Sequence, residues 1–553
     1  MAPFQTGAAN MAANIGFENS SDGEIVHQRC VLIIGQCISS HSDEDFLTIT
    51  THDASSTTTF PIQNWPIAGK RFKALSGHAT GSVGLSLTYI PLLQNPPLHL
   101  AIMIAKDSSL IIDCLPHKRG GISSAHSDLD AAINKFRMTA YMWQALTTED
   151  MRSKGLGRRS FRVEEEWSAE TLSREFLQIA NEASGKHMRS IAKIHLVKSD
   201  KTVAELRDAN FAQQNKKATR DSALFTFFNA ALKAHGGPFA SSAHPVVAGL
   251  ILDSAYSTEQ DLILGHAALG LSNPTGVSLG IFGSHLTYSW PRFLEEVPAC
   301  LMDTAVPGNT VGNDNGECAS MWEACSIGQG AFLHEVGHAF GAPHTSGIMA
   351  RGYAQYWPKN FLPKTAYCAH KQTEGAMVID GETGDDARWD LCDALSFKLQ
   401  SHFRLPTDPV LSQEALVAEP SVQVVYDDDE KAEFMRLVIS CPSQIVRLKF
   451  NGTGEAEPTI AAPVQKQQFT IDELESRFER TQPLKLEVLG MNDKSRTVGD
   501  AWKLFSQVSF IRIPGYSILL KKKSFVFDVF QAASAAETKS WDWAVLLGKR
   551  WEV

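Results

Sequence analysis

The sequence predicts a multidomain protein whose centre is an α/β layer on a twisted mixed sheet, flanked by β-rich domains at both ends. Three observations predict this class. The chain has 553 residues, which is too long for one hydrophobic core. Its central part alternates unbroken apolar runs with amphipathic helical patterns, as in sheets covered by helices. Its two ends carry short apolar runs separated by turn residues, which is typical of antiparallel β structure.

The N-terminal region divides into a polar leader and a β-rich module. Residues 1–27 are mostly small and polar, which predicts a disordered leader. From residue 28 to residue 97, short apolar runs alternate with Ser, Thr, Gly and Pro turns, and this rhythm predicts a small antiparallel β-sandwich. The runs that carry the pattern are VLIIGQC, FLTITT, TTTFPI and GSVGLSLTYIPL. We expect a structural or interaction role for this module.

Residues 98–405 carry the α/β pattern. A helix is predicted after residue 127, where Ser127 and Asp130 have the spacing of a capping box. A second amphipathic pattern starts near Ala223, and a third ends near Phe403. The predicted strands between and around these helices are the apolar runs LHLAIMIA, SIAKIHLV, VVAGLILDS and VSLGIFGS.

The C-terminal part is predicted to be a separate β-rich domain. Prolines at 406, 409 and 420 mark residues 406–420 as a linker. Residues 421–553 then carry further alternating runs, namely SVQVVY, MRLVIS, IVRLKF, LKLEVLG and SFIRIP. We therefore expect another domain built mainly of strands.

Charge and composition exclude several classes of partner. The net charge of −10 disfavours nucleic acid, because binding to a phosphate backbone needs a concentrated basic surface. No apolar stretch approaches the length that spans a bilayer, so no membrane association is expected. The N-terminus lacks the basic and apolar regions of a secretory signal, and nine scattered cysteines suit reduced thiols. A cytoplasmic or nuclear location is expected.

The segment HEVGHAFGAPH carries the chemistry. In a helix, His334 and His338 project from the same face one turn apart, so both imidazoles can reach a single metal ion. Glu335 follows the first histidine and can accept the proton of an attacking water. These three residues predict a metal-assisted hydrolase.

The residues after the second histidine complete the predicted site. Gly341 can adopt a positive φ, which ends the helix and turns the chain sharply. Pro343 then holds the segment extended, so that His344 can return as a third ligand. Three histidines with an open fourth position are the ligand set of a catalytic zinc. We expect one Zn²⁺ per chain.

Chance does not easily produce this segment. A bare HExxH arises by accident in a chain of this length at a level of about one in fifty, whereas the full HExxHxxGxxH has a chance occurrence on the order of one in ten thousand. Three alternatives to a peptidase stay open. The histidines can be satisfied without metal, the protein can hydrolyse another amide, or it can be a silent, zinc-stabilised scaffold that acts through its β-rich modules. Glu335 favours an enzyme, because a scaffold needs no base.

These residues resemble the metzincin clan, whose signature is HExxHxxGxxH followed by a methionine turn. The resemblance implies an α/β catalytic domain with an active-site helix over residues 98–405, and a peptide or protein as substrate. It implies three zinc ligands, a general base and a turn glycine, which correspond here to His334, His338, His344, Glu335 and Gly341.

Two further residues follow from the same resemblance. Met349, in SGIMARGY, corresponds to the methionine that lies under the metal, although its spacing from His344 is short for many metzincins. Tyr353 corresponds to the tyrosine that some members place near the metal as an oxyanion stabiliser. It stands four residues after Met349 where those members have two, so a packed loop tyrosine is the other interpretation.

HEVGHAFGAPH followed closely by GIMARGY is also similar to the fungal "putative zinc metallopeptidase" family, an intracellular group. Some of its members carry a C-terminal jacalin-like lectin domain, which implies a carbohydrate or protein ligand for the C-terminal domain. In metzincins an edge strand above the active-site helix binds substrate by main-chain pairing. By its order in the chain, Val277–Leu286 is our candidate for that strand, and His285 within it is interpreted as a polar loop residue.

Overall fold

A computed structural model describes residues 14–38, 46–53, 56–68, 71–76, 85–116, 127–174, 188–220, 222–378, 386–429, 432–506, 508–512 and 519–523. The chain forms two compact units, Met1–Pro406 and Thr407–Val553. The division falls at the start of the predicted linker. Within the described ranges, no helix combines the length and the apolar character needed to cross a membrane.

The N-terminal strands form one antiparallel sheet and one separate pair. They are β1 (Asn14–Phe17), β2 (Glu24–Val26), β3 (Val31–Ile38), β4 (Phe46–Asp53), β5 (Ser56–Ala68), β6 (Arg71–Ser76) and β7 (Leu87–Tyr89). The sheet has the order β1-β3-β6-β5-β4, while β2 pairs with β7 in parallel. These strands belong to the same compact unit as the central sheet that follows.

The structure differs from two expectations for this region. Residues 14–27, predicted as part of a disordered leader, contain β1 and β2, and residues 1–13 lie outside the described part. Within 28–97 the described strands make one sheet and one strand pair, without a facing second sheet. An alternating pattern indicates only that one face of a strand is buried, and a helix can cover that face as well as a second sheet can. Here a helix packs near β3, where the Asn19 amide donates to Glu149 of that helix at 2.9 Å.

The central strands are short. They are β8 (Pro97–Ile104), β9 (Arg162–Val163), β10 (Glu165–Ala169), β11 (Met188–Ala192), β12 (Ile194–Lys198), β13 (Val246–Ile251), β14 (Ala255–Ser257), β15 (Leu262–Leu264), β16 (Leu269–Leu271) and β17 (Ser278–Gly283). Three of them, β8, β13 and β17, are almost wholly buried. The main sheet has the order β12-β8-β13-β17-β16, with β9 beside β8. Its strands are parallel except β16, which runs antiparallel to β17 at the edge. The sheet is therefore mixed.

The helices of the first unit are α1 (Leu129–Ser153), α2 (Val203–Leu206), α3 (Ala223–His235), α4 (Val297–Met302), α5 (Met321–Ala339), α6 (Tyr353–Tyr356) and α7 (Leu391–Leu399). Helix α1 begins one residue later than the predicted capping box implies. Its cap is Asp128, whose carboxylate accepts a hydrogen bond from the Ala131 backbone N–H at 2.8 Å. The predicted pair of Ser127 and Asp130 does not perform this role.

Two helices cover opposite faces of the main sheet. Leu279 of β17 joins a buried apolar cluster that includes Phe228 of α3. Its neighbours in β17 point the other way, as strand geometry requires, and the ring of Phe282 stacks on Phe332 of α5 with centroids 5.7 Å apart. Behind α5 lies α1, where the Trp143 indole donates to the Gln329 carbonyl at 3.0 Å. Helix α5 is thus held between the sheet and α1.

The second unit is built mainly of strands. Its elements are α8 (Gln413–Val417), β18 (Ser421–Asp429), β19 (Ala432–Phe450), β20 (Thr453–Gly454), β21 (Val464–Thr470), α9 (Ile471–Arg477), β22 (Leu486–Gly490), β23 (Ser495–Val498), α10 (Ala501–Ser506), β24 (Val508–Arg512) and β25 (Leu519–Lys523). An antiparallel sheet of order β18-β19-β22-β23 carries β20 and β21 on β19. The predicted β-rich character is confirmed for the described residues. The predicted linker contains one short helix, α8.

Candidate metal centre and cleft

Helix α5 carries the first two histidines and the glutamate of the motif. It begins after Ser320, whose hydroxyl accepts a hydrogen bond from the Glu323 backbone N–H. The helix is buried along nearly its whole length, and glycines let its neighbours approach closely. A Cβ on Gly330 would lie 2.3 Å from the Cβ of Tyr353. Small residues in the helix thus make room for the side chains that surround the motif.

The helix ends where the sequence predicts. Gly341 has a φ of +92°, a conformation that costs glycine little and other residues much more. Its N–H donates to the His338 carbonyl at 2.9 Å, and the Ala342 N–H donates to the Gly337 carbonyl at 2.9 Å. This turn redirects the chain and returns His344 to the end of α5.

The three histidines of the motif meet at one point. The Nε2 atom of His338 lies 3.1 Å from the Nε2 of His334 and 3.1 Å from the Nε2 of His344. Two nitrogens that each bind one zinc ion at about 2.0–2.1 Å are separated by roughly 3.3–3.4 Å at the tetrahedral angle and by roughly 3.1–3.2 Å at an angle of about 100°. The observed spacing suits a shared metal ion.

Hydrogen bonds to Nδ1 determine which ring nitrogen of His334 and of His338 carries the proton. The Nδ1 of His334 lies 2.9 Å from the Ile348 carbonyl oxygen, and the Nδ1 of His338 lies 2.8 Å from that of Ala342. A carbonyl oxygen can only accept, so each Nδ1 carries the proton and each Nε2 presents a lone pair. Burial lowers the pKa of His334 to about 4 and also lowers the pKa of His338. Both rings are therefore neutral at pH 7.

This arrangement fits a divalent metal. Two unprotonated Nε2 atoms 3.1 Å apart repel one another, and a hydrogen bond between them is excluded because both protons sit on Nδ1. A cation between them removes the repulsion. Neutral imidazoles that donate their other N–H to backbone carbonyls are the usual zinc ligands of proteins. The residues present therefore fit zinc.

The methionine of the motif lies beneath the histidines. Met349 is fully buried, and a Cβ on Gly337 would lie 2.7 Å from its Sδ, so the sulfur packs against α5 at the residue that precedes His338. The preceding residue, Ile348, supplies the carbonyl that orients His334. The short interval after His344 is accommodated by a tight turn in which the Gly352 N–H donates to the Gly347 carbonyl at 2.9 Å.

Glu335 lies against the edge of the sheet. A Cβ on Gly280 of β17 would come within 2.5 Å of the Glu335 carbonyl oxygen, and one on Gly270 of β16 within 2.3 Å. The two strands can support α5 at this point only because both positions are glycine. The Glu335 side chain lines the cleft and is mostly buried. Burial raises the pKa of Glu335 to about 8.

Tyr353 lies beside His334, the first histidine of the motif. Its ring centroid is 6.1 Å from that of His334, the residue is buried, and it lines the same cleft. Burial raises the pKa of Tyr353 well above its ordinary value, so its phenol stays protonated. The structure thus brings Tyr353 to the metal centre despite the unusual spacing after Met349.

The site opens into a cleft of about 760 Å³. One wall of the cleft is β16, the edge strand of the main sheet. The sequence predicted a different segment for this edge. Val277–Leu286 was the candidate for the substrate-binding edge, but β17 is an inner strand between β13 and β16. The edge is Leu269–Leu271, a segment of three residues with no periodicity to predict it. His285 is also not a polar loop residue, because it is fully buried.

A charged group lines another part of the cleft. Arg351 has a φ of +64°, and its guanidinium lies 2.7 Å from Glu317 and 3.6 Å from Asp314. The Gln214 amide donates to Asp314 at 2.8 Å. Since these side chains neutralise one another in part, the cleft has no single dominant charge at this point.

A second cluster with metal-ligand side chains lies in the same unit. Among the described residues, the groups that could hold a metal are the motif histidines and His99, Glu164 and His195. The His99 Nδ1 and the His195 Nε2 lie 2.6 and 2.7 Å from one Glu164 oxygen, and Lys193 lies 3.0 Å from the other. These are hydrogen-bond distances, so Glu164 joins two parallel strands as an acceptor.

Comparison with known proteins identifies relatives. Residues 14–440 match the family described as "Putative peptidase family". A protein of Saccharomyces cerevisiae named as a putative zinc metalloproteinase is 35% identical over 412 residues, which cover 71% of this chain and 56% of that protein. The chain thus matches little more than half of that relative's length. A protein of Schizosaccharomyces pombe with the same description is 30% identical over 499 residues, covering 87% and 74%.

Among solved structures, the crystal structure of wild-type OgpA from Akkermansia muciniphila aligns with 73% of this chain and 91% of its own, at 12% identity and a TM-score of 0.31. The family match covers most of the chain, and its residues 14–440 include the three motif histidines and Glu335. The two yeast relatives are named "putative zinc metalloproteinase", and the chain belongs to the family described as "Putative peptidase family".

Proposed function

We propose that this chain is a zinc-dependent metallopeptidase of the metzincin type that hydrolyses internal peptide bonds. The observation that carries the proposal is the convergence of three histidine Nε2 atoms at one point, two of them with their protons held on Nδ1. His334, His338 and His344 would hold one Zn²⁺ per chain. Zinc bound there would activate a water molecule and polarise the scissile carbonyl.

Glu335 is the proposed general base. It follows a ligand histidine on the same helix and faces the cleft. It would accept a proton from the attacking water and return it to the leaving amine. Burial raises its pKa to about 8 in the metal-free protein, and a bound Zn²⁺ would lower it again by favouring the carboxylate form that acts as the base.

The edge strand is the proposed substrate-binding element. The Gln213 side chain bonds both the N–H and the C=O of Ala268, at 2.7 and 3.0 Å, on the side away from β17. Alternate residues of a strand direct their peptide groups to the same side, so Gly270 presents its N–H and C=O along the free edge above α5. An extended peptide can pair there as an added strand. Gln213 would mark one end of this binding edge.

Tyr353 is the proposed oxyanion stabiliser. Its phenol stays protonated and is therefore a hydrogen-bond donor. It lines the cleft beside His334, from where it can donate to an oxygen that gains negative charge during attack. Tyr353→Phe should lower kcat with little change in KM, since the donor acts mainly in the transition state.

The first experiment combines metal content with cleavage of an unbiased peptide library. Wild-type protein should contain one zinc per chain and cleave peptides in a chelator-sensitive manner. Glu335→Gln should keep the zinc and lose cleavage, and His338→Ala should lose both. Glu323→Gln is the matched control, because Glu323 lies on the same helix outside the cleft lining, and it should keep zinc and cleavage.

The results also separate the alternatives. Full zinc affinity in His338→Ala would refute the ligand assignment. Cleavage retained by Glu335→Gln would refute the assigned base. One zinc per chain without cleavage of the library in any variant would favour the zinc-stabilised scaffold instead.

A further inference from the structure

His266 belongs to the cleft although no motif contains it. It lies between β15 and β16, just before the edge strand, and its imidazole lines the same cleft as the metal centre. The residue is 4% exposed, so only a small part of the ring faces the cleft. It packs edge-on against Phe282, with ring centroids 4.9 Å apart.

One hydrogen bond fixes the tautomer of this ring. The backbone N–H of Gly283 points at the Nδ1 of His266 across 3.1 Å. A backbone N–H can only donate, so Nδ1 is an acceptor and carries no proton. The neutral ring must then carry its proton on Nε2. His266 therefore presents an N–H donor at its other end.

That donor is available to a ligand. Among the described residues, none forms a hydrogen bond with His266 Nε2, and this atom is not fully buried. It is consequently accessible, and the cleft is the space that the ring borders. A ligand that covers this donor without offering an acceptor leaves it unpaired, so a ligand with an acceptor at this point binds more tightly.

The surroundings keep His266 neutral. His285 packs behind it with ring centroids 4.2 Å apart, and both of its nitrogens are buried without partners. Burial lowers the pKa of His266 to about 3, and no carboxylate among the described residues raises it again. The group offered to the cleft is thus an uncharged N–H at physiological pH.

Apolar side chains form the wall around this donor. Phe282, Ile327 and Ala331 line the cleft together with His266. Ile327 and Ala331 precede Glu335 by eight and four residues on one face of α5. The part of the cleft that they line therefore lies up to about 12 Å from Glu335 along the helix axis. A substrate bound across the metal centre can extend a side chain into it. This part of the cleft lining combines apolar side chains with the neutral N–H donor of His266.

We propose that His266 is a specificity-determining residue whose Nε2–H donates to a neutral acceptor oxygen on a substrate side chain, so that amide and hydroxyl side chains are preferred to apolar side chains of the same size. The inference rests on the proposed function in that the ligand is a peptide. It does not depend on whether the peptide is cleaved.

Binding to a protein that cannot hydrolyse tests this directly. Zinc-loaded Glu335→Gln protein is mixed with capped hexapeptide libraries that differ at one fixed position, in the isosteric pairs Gln/Met, Asn/Leu and Thr/Val. Bound peptides are quantified by mass spectrometry. At one position the acceptor-bearing member should be enriched about tenfold, as expected for one buried hydrogen bond. Equal capture of both members, or no capture, would overturn the proposal.

Substitutions at His266 in the same background assign the effect. His266→Phe keeps a ring but lacks the donor, and should abolish the enrichment. His266→Gln keeps an N–H donor and should retain part of it. His285→Phe is the matched control, since it alters a neighbouring buried ring outside the cleft lining. Enrichment that survives in His266→Phe would refute the role. Enrichment in the binding assay without wild-type cleavage would refute the peptidase proposal alone.

Discussion

The Nδ1 of His334 donates to the carbonyl oxygen of Ile348, 2.9 Å away, and Ile348 directly precedes the buried Met349. The turn that buries the methionine therefore also orients the first histidine. A zinc ligand that is held by a partner of this kind binds metal more tightly than a freely rotating one. Packing beneath the site and metal affinity should change together.

Met349→Ala should weaken both stability and zinc binding. Removal of the buried side chain leaves a cavity beside Gly337, which costs about 2–5 kcal/mol, and relaxation of the turn should lower zinc affinity by about tenfold or more. Urea unfolding and competition with a chelator measure the two effects. Met349→Leu nearly conserves the volume and serves as the control. Unchanged zinc affinity in Met349→Ala would show that the turn does not position His334.

Gly341→Ala should destabilise the turn by strain rather than by collision. The nearest atom to an added Cβ is the Ser272 Oγ at 3.6 Å, so space is available. A φ of +92° costs an alanine about 1–2 kcal/mol, and any relaxation displaces His344. We expect a loss of stability of that size and weaker zinc binding. Gly499→Ala, at an ordinary backbone conformation with open space, should change neither. Equal effects of the two substitutions would contradict the strain argument.

The convergence of the motif histidines could be predicted because its information is local. His334, His338 and Gly341 are separated by helical spacing and one turn, and helix geometry converts that spacing into shared direction. The positive φ of Gly341 follows from the same segment. Family resemblance added Met349 and Tyr353, and the structure brings both to the cleft.

Features that depend on long-range pairing were not predictable. The edge strand Leu269–Leu271 is too short to show alternation. The sequence therefore favours the longer apolar run of β17 as the substrate-binding edge. His266 and His285 illustrate the same difficulty, because an isolated histidine carries no signal of burial. The start of α1 was misplaced by one residue, since Ser127 and Asp128 are both good caps and only the hydrogen bond to Ala131 decides between them.

In the metal-free protein, Glu335 should reduce stability increasingly between pH 6.5 and pH 8. Histidines that the fold keeps neutral, such as His266 and His334, act in the opposite direction, because in the unfolded chain they lose their protons across this range. Glu335 is ionised in the unfolded chain, but its pKa of about 8 keeps it protonated in the fold. At this group the folded state binds more protons, so the contribution of Glu335 to the free energy of unfolding falls as pH rises, by about 2 kcal/mol over this range.

Glu335→Gln isolates this contribution. The metal-free variant has no carboxyl group at this position to ionise, so its unfolding free energy should rise relative to that of wild type between pH 6.5 and pH 8. Urea unfolding of both chelator-treated proteins, followed by tryptophan fluorescence, measures the difference. Parallel pH profiles for wild type and variant would show that Glu335 ionises normally in the fold.

The Glu164 cluster should contribute to stability and not to hydrolysis. Hydrogen bonds from His195, His99 and Lys193 outweigh the effect of burial and hold the pKa of Glu164 well below its ordinary value. A depressed pKa means that the stabilisation is present above about pH 4.5 and is lost on acidification. Glu164→Ala leaves these donors without their acceptor, which should cost about 2–4 kcal/mol at pH 7.

Urea unfolding at pH 7 tests this cost, and zinc content and peptide cleavage measured below the unfolding transition test the separation from the active site. Both should match wild type after Glu164→Ala, because the cluster shares no residue with the cleft. Glu166→Ala, two residues along the chain, should change stability by less than about 0.5 kcal/mol. If Glu164→Ala removed zinc or cleavage while the protein stayed folded, the cluster would belong to the catalytic machinery rather than to the framework that joins β8 and β12.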